Sequence, residues 1–447
     1  MSLDIKTIER IAQYKQYERF YDNDYDTQEK NALDVDARFY IAANIVKSIV
    51  DVTPDFLFGE APRITAQNQD LIDKIIDSTH FNTLFYRCAL TSSLKGDAII
   101  KLYVHNNQVK AQLIQPELFY PVTNIHGELV EVNFLTEISS DDNFIYYLRE
   151  SITETSIKRF LEKRAQTQNK TIDNDLTQVL SVTEHPLTKD LKPEEENIFG
   201  VIPIVHIPNY LTSDDYFGVS DLKGSETLVL SINKRLSEID YIITKHADPK
   251  LQVPQNILDS QQAYNIIATT GTTFVHQDGI DNKNFKVIET NPNDKDMKYV
   301  QPNLDLTSAF DELDRLVNYL LLQTKTSPSL VQSYRNNTSA ESGKALRLRL
   351  MDTERKLRQK KAYYYKAIKE FFDIAHILLG AQEQPIDIQF IDLLNDTTEN
   401  IDNAIKLHQE GLISHQEALQ VAFPNTNKQE IDRMYLETLE ENLHMES

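Results

Sequence analysis

Two helical patterns of similar length, set either side of a short compact stretch, constrain this chain more than anything else in its sequence. From Ser220 to about His246, the residues Leu228, Ile232, Leu236, Ile239 and Ile243 recur at three- and four-residue spacing. That spacing predicts a helix with one apolar face. Asp248 and Pro249 end it. Over about 304–324 the residues Leu306, Phe310, Leu313, Leu316, Val317, Leu320 and Leu321 repeat the pattern. Each helix is about 35 Å long at roughly 1.5 Å per residue. Residues 250–301 between them read as a small separate unit, with strands at 251–253, 272–276 and 285–289 and a short helix at 259–268. Two slim amphipathic rods flanking a compact knob read as a stalk with a cap.

The rest of the chain reads as α+β, mainly helical. Residues 1–36 are polar and Tyr-rich, a short helix followed by an arm. Helices are expected over 36–58, where Ile41, Ile45, Val46, Ile49 and Val50 share a face, and over 70–94, with Leu71, Ile75, Ile76, Leu84, Phe85 and Leu90. Gly59 and Pro62 stop the first. After Gly96 the period changes. Six β-rich runs between 97 and 183, separated by Asn, Asp and Gly turns, read as an antiparallel meander. A polar loop (184–200) and a strand at 202–207 follow. Thr338 and Glu341 form a capping box. It opens a helix that runs to Leu379 without a proline, until Gly380 stops it. The tail, 381–447, holds short helices, one opened by a second capping box, Ser414 with Glu417.

Composition excludes several functions. The net charge of the 447 residues is −22, too acidic for tight, sequence-reading DNA binding. A single cysteine, Cys88, excludes a disulfide framework and a multi-thiolate zinc site. No signal peptide is visible, and no run approaches the roughly 20 apolar residues of a membrane span. The chain therefore reads as a soluble cytoplasmic product. Thr338 to Ala345 approximates a P-loop but has Thr338 where Gly is needed and Ala345 where Ser or Thr is needed. Asp22, Asp24 and Asp26 begin like a calcium loop, yet Thr27 and Leu33 occupy the positions of its Gly and bidentate Glu. His80, His246 and His376 read as ordinary helix residues, and Cys88 as a buried thiol. No catalytic constellation, cofactor motif or metal cluster is found.

The electrostatic anomaly lies at 335–369. Eleven basic residues, among them Lys344, Arg347, Arg349, Arg355 and Arg358, face three acidic ones, which makes this window +8. The tail from Ala381 carries fourteen acidic residues against three basic, or −11. A solvated helix face, docking on an acidic neighbouring subunit, and direct DNA contact are the three readings of the basic window.

Four stretches then resemble a known family, the portal proteins of tailed bacteriophages, in the branch of long-tailed phages of Gram-positive hosts. They are residues 44–62, closing on Phe58, Gly59 and Pro62; residues 89–102, with Gly96 and Asp97 leading into a strand; residues 202–208 through Gly218, Ser220, Asp221 and Leu222; and residues 339–346 with the long basic helix. The resemblance spans about 15–440. It implies a dodecameric ring at one capsid vertex, non-enzymatic and without cofactor or membrane, through which double-stranded DNA is packaged and ejected. Its implied partners are the terminase large subunit, a head–tail adaptor, and the major capsid and scaffolding proteins. Its implied location is the virion, with assembly in the host cytoplasm.

By position the resemblance divides the chain into an N-terminal arm (1–36), a wing (37–219), a first stem helix (220–249), a clip (250–301) and a second stem helix (302–325). A tunnel loop (326–338), a long wing helix (339–380) and a crown (381–447) complete it. Gln332, Ser333, Tyr334, Arg335, Asn336 and Asn337 would meet the DNA, and the basic helix would meet the next subunit. Duplex DNA carries a charge every ~1.7 Å of axis. An acidic channel lets it slide, and Arg335 supplies one loose contact. The competing readings are a DNA-processing enzyme or packaging-motor subunit, and a helical adaptor with no DNA role.

Overall fold

The computed structural model of the chain describes residues 5–25, 40–141, 143–166, 172–212, 216–246, 250–254, 287–290, 298–300, 306–331, 343–391, 397–423, 426 and 428–445. In chain order the elements begin with helices α1 (Ile5–Tyr21), α2 (Ile45–Val50) and α3 (Val52–Phe58), strand β1 (Arg63–Ala66), and helices α4 (Gln69–Thr79) and α5 (Phe81–Lys95). Strands β2 (Asp97–His105), β3 (Gln108–Ile114), β4 (Phe119–Thr123), β5 (Leu129–Ser140), β6 (Phe144–Ile152), β7 (Ser156–Gln166), β8 (Ile172–Leu180), β9 (Glu194–Glu196) and β10 (Ile204–Pro208) follow. Then come α6 (Glu226–His246), β11 (Lys250–Pro254), β12 (Val287–Thr290), β13 (Lys298–Val300), α7 (Thr307–Gln323), α8 (Pro328–Val331) and α9 (Gly343–Leu379). β14 (Ile386–Gln389), α10 (Thr397–Gln409), α11 (His415–Ala422) and α12 (Lys428–Met445) end the chain.

The chain divides into two compact units, one of residues 1–24, 44–225 and 321–447, the other of residues 25–43 and 226–320. In the first unit, α9 supplies the spine. Leu350, Leu357, Tyr364, Phe371 and Leu378 recur every seven residues and are all buried. Thr353, Lys360, Ala367 and Ile374 fall between them and are buried too. The 3–4 alternation is the seam spacing of a long packed helix. Aromatic rings close on it: Phe58 lies 5.1 Å from Tyr364 and Phe85 lies 5.5 Å from Phe371, both edge-on.

Two separate sheets stand where one meander is expected. β2 lies between β3 and β10, all antiparallel. β4 to β8 form a second antiparallel sheet, with β9 added to β7. The break falls at the 3₁₀ turn Pro116–Leu118, which redirects the chain after β3. β4 begins directly at that turn, with Phe119 and Tyr120 buried. β14 pairs antiparallel with β1, Ile64 opposite Ile388, and brings the tail back to the front of the chain.

Helix boundaries differ where local chemistry overrides periodicity. The expected helix over 36–58 is α2 and α3. Asn44 starts α2 by accepting from the Lys47 N–H, and residues 40–44 are not helical. The helix over 70–94 is α4 and α5, parted at His80, whose φ of 51° is left-handed. Residues 220–225 are turns and not helix, with Gly224 at φ +81°. Gly380 ends α9 as expected: the Ala381 N–H donates back to the His376 carbonyl and Gly380 has φ +62°. The Ser414–Glu417 capping box is formed. The box at Thr338, the helix over 259–268 and the strand over 272–276 lie outside the described residues. Cys88 is buried, and burial pushes its thiol pKa up.

In the second unit, β12 is parallel and β13 antiparallel to β11. The Ile41 and Ala43 N–H groups donate to Ser237 Oγ and Asn233 Oδ1 of α6, at 2.9 and 3.1 Å. Arg235 of α6 pairs with Glu312 of α7 at 2.9 Å.

Two glycines touch backbone to backbone where the turn before β2 meets the turn after β10. Gly96 has φ +99°, and a Cβ on Gly218 would lie 2.2 Å from the Gly96 carbonyl oxygen. The Gly218 N–H donates to the buried Asp97 at 2.7 Å, and Asp97 also accepts from Tyr14 Oη and contacts His206 Nε2. Gly218→Ala is therefore expected to lower unfolding stability by about 3 kcal/mol or more, measured by urea denaturation. A change within about 0.5 kcal/mol contradicts this packing.

Candidate functional site

The basic window divides into two faces on α9. Lys356 and Lys360, one turn apart, are 7% and 2% exposed. Both ammonium groups point at one carboxylate. Lys356 Nζ lies 2.9 Å and Lys360 Nζ 2.8 Å from Asp221 Oδ2. Asn209 Nδ2 donates to the other oxygen, Oδ1, at 2.8 Å. Lys360 further donates to Thr53 Oγ1 at 2.8 Å and Ser93 Oγ at 3.0 Å. Burying an ion is costly unless partners and hydrogen bonds replace water, and here every Lys360 N–H has an acceptor.

This cluster joins the roots of several segments. The Asp221 N–H donates to the Ser93 carbonyl at the end of α5. Lys356 donates to the Thr324 carbonyl at 3.0 Å, just past α7. Thr353, one seam position earlier, accepts from the Ser327 N–H at 2.8 Å. Gln323 Nε2 donates to the Gly224 carbonyl at 2.7 Å, beside the start of α6. The chain leaves this unit after Ser225 and returns at Leu321. Both connections, and the first residues of 326–338, therefore start from backbone that α9 holds. α7 itself closes with paired bonds, Lys325 N–H to the Leu322 carbonyl and Thr326 N–H to the Leu321 carbonyl, with Lys325 left-handed at φ 51°.

The electrostatics follow from that geometry. Burial alone would raise the Asp221 carboxyl; Lys356 and Lys360 outweigh it and bring it down to about 2.

The expected site residues fall in three places. Gln332, Ser333, Tyr334, Arg335, Asn336 and Asn337 lie outside the described residues. Lys344 and Arg347 belong to α9, and their side chains lie outside the described set. Arg349, Arg355 and Arg358 are exposed on α9. Arg355 pairs with Asp352 at 3.7 Å and Arg358 with Glu354 at 2.9 Å, both within the helix. Asp221, Lys356, Lys360 and Thr353 are the residues that sequence reasoning missed. The signal was present: Thr353 and Lys360 interrupt an otherwise apolar seven-residue seam, and a lysine in a buried phase requires an acid from elsewhere. Among the described residues no cluster of His, Cys, Asp and Glu is set to hold a metal, and no helix is long and apolar enough to cross a membrane.

All four stretches that carry the family resemblance reach this core: Thr53 and Phe58, Ser93 to Asp97, Gly218 to Leu222, and α9. A family model described as phage portal protein, SPP1 Gp6-like, matches residues 4–443. The chain belongs to that family. Portal proteins are structural subunits of the DNA channel at a capsid vertex, and the α+β fold described here is this chain's form of the portal fold. Similar solved structures come from a gene transfer agent. A chain of the native virion has a TM-score of 0.46 at 13% identity, covering 84% of this chain and 87% of that one. A chain from the native neck computed with C12 symmetry has 0.49 at 12%, covering 85% and 89%. One from the empty neck computed with C6 symmetry has 0.45 at 12%, covering 93% and 92%. No curated protein matches the sequence.

The low carboxyl of Asp221 has a stability consequence. Its folded value lies below the ordinary 3.8, so its contribution is complete above about pH 4 and is lost as pH falls toward 2. The loss is on the order of 2 kcal/mol. Asp221→Asn removes the anion that holds two buried lysines; Lys360, already pulled down to about 7, then gives up its proton while Lys356 loses its partner, and the substitution is expected to cost about 3–5 kcal/mol at pH 7. It should also flatten the acid limb of the stability curve. An acid limb identical to that of the unsubstituted protein contradicts the assignment.

Proposed function

We propose that copies of this chain close head-to-tail into a ring, dodecameric in the virion, around a channel that passes double-stranded DNA. The observation that carries the reading is the outer face of α9. Leu348, Met351, Arg355, Arg358, Ala362, Tyr365 and Lys369 follow one another at alternating three- and four-residue spacing, and all are exposed. Leu348 is 67% exposed, on a face that Arg349, Lys366 and Lys369 keep basic within a −22 chain. Leu348 and Met351 lie one turn apart on this stripe, and with Tyr365 and the arginines they offer a partner both apolar area and charge. An acidic surface on a second copy complements it, and a heterologous contact repeated by rotation closes a ring.

On this reading residues 1–36 are the arm, 37–219 the wing, 220–249 and 302–325 the stem helices, and 250–301 the clip. Residues 326–338 are the tunnel loop, 339–380 the long wing helix, and 381–447 the crown. Phe310 and Tyr319 of α7 and Ile243 of α6 are large apolar groups left exposed in the isolated chain, as expected of helices that pack on neighbouring copies. The loop residues Gln332 to Asn337 touch passing DNA through small polar groups and Arg335. A separate packaging ATPase, the terminase large subunit, supplies the force, and this chain has no catalytic role. The ring is also the docking site for a head–tail adaptor, and the major capsid and scaffolding proteins are its further partners. Assembly takes place in the host cytoplasm, and the phage belongs to the long-tailed branch of Gram-positive hosts.

Arg335→Glu is expected to leave rings intact but to reduce DNA packaging, measured as nuclease-protected DNA per capsid. Normal packaging by that variant removes the role of the loop. Reversing Arg355 and Arg358 to Glu together is expected to lower the ring fraction in native mass spectrometry about tenfold, with only a small drop in the melting temperature of the protomer from the two lost intrahelical pairs. An undiminished ring fraction rules out this face as the subunit contact.

A further inference from the structure

The cluster around Asp221 does not balance its charge. Lys325, Lys356 and Lys360 and a single carboxylate, Asp221, line one cavity of roughly 120 Å³, so it keeps a net positive charge in a chain of −22 even when Lys360 has given up its proton to leave Lys325 and Lys356 against Asp221. Tyr210, Gln323, Thr324 and Gln359 complete the lining, and the two glutamines bring amide donors to it. The floor is built from buried groups, whereas Lys325, Gln323 and Gln359 are exposed at the rim. A cavity of this size holds several waters.

The hydrogen bonds show which donors remain. Lys360 spends its three N–H bonds on Thr53, Ser93 and Asp221. Lys356 has two acceptors among the described residues, the Asp221 carboxylate and the Thr324 carbonyl, for three N–H bonds. Lys325 forms no ion pair among the described residues. Asp221 is already engaged on both oxygens, by the two lysines and by Asn209, so it has little left to offer Lys325. Burial pulls the Lys360 ammonium down to about 7; Asp221 opposes that pull, and Lys356 adds to it.

We propose that this cavity is a binding site for a phosphate-type oxyanion, held by Lys325 at the rim and Lys356 at the floor, with Gln359 as a further donor. Several donors converging from different elements suit a tetrahedral anion with several acceptor oxygens better than a halide. Lysines act at such sites as point charges. Because the rim is open, the phosphate comes either from solution or from a nucleic-acid backbone. The site depends only on described residues and stands whether or not residues 332–337 touch DNA.

Calorimetric titration of the full-length protein with inorganic phosphate, at constant ionic strength set with chloride, tests it. Saturable binding is expected. Lys325→Asn removes the rim charge and suits the left-handed backbone there. It should weaken binding about tenfold while leaving the melting temperature unchanged. Lys356→Met should abolish binding; if it does not fold, Lys325→Asn carries the test alone. A short DNA duplex that competes for the site supports it with backbone phosphate as the source, and failure to compete supports it with free phosphate. Absence of saturable heat, or equal affinity in the unsubstituted protein and Lys325→Asn, overturns the proposal.

Discussion

Asp221 sits in the protein interior with two lysines on one of its oxygens, and the surrounding chain is arranged to make that tolerable. The attraction alone does not justify burying three charges, because desolvation costs each ion several kcal/mol. What the arrangement supplies is position. Asp221 comes from the turns before α6, Lys356 and Lys360 from α9, Thr324 from the end of α7, and Ser93 from the end of α5. Sliding any of these by a residue would leave a buried charge without its partner. The cluster therefore fixes the register of segments far apart in sequence, which apolar contacts alone specify less sharply.

The long helix can do this because it has two different faces. The inner seam repeats every seven residues and is apolar apart from Thr353 and Lys360, the positions that grip Ser327 and Asp221. The outer seam repeats with the same period, and on it Arg355, Arg358 and Lys369 lie among Leu348, Met351, Ala362 and Tyr365. A basic window that reads as one feature in the sequence is thus two devices. One organises the subunit from within, and the other is the exposed face that the proposed ring assigns to a partner. The small surplus of positive charge on the inner side, at the cavity bounded by Lys325, is what suggests an anion there.

Much of the fold was legible from spacing. α6, α7 and α9 follow their apolar stripes, and Gly380 and Ser414 punctuate as their chemistry requires. Signals that were tertiary in origin were not legible. His80 divides two helices with no breaker residue in sight, by adopting a left-handed backbone. β14 exists because β1 offers it an edge 320 residues away, and four residues alone carry too little pattern. β2 leaves the meander because β10, which comes long after it in the chain, takes the neighbouring position. The candidate site was half legible. The charge excess on α9 was plain, but its division into faces required knowing that Lys356 and Lys360 share the phase of Leu357 and Tyr364. The acid they need, Asp221, lies 135 and 139 residues earlier.

A subunit whose inner seam is complete and whose outer seam is unfilled should not remain alone. Negative-stain electron microscopy of the purified full-length protein, viewed along the assembly axis, tests this most directly. The account predicts closed rings with a central hole wide enough for a DNA duplex. A stable population of single protomers at the micromolar concentrations of such a preparation, with no rings, would contradict it.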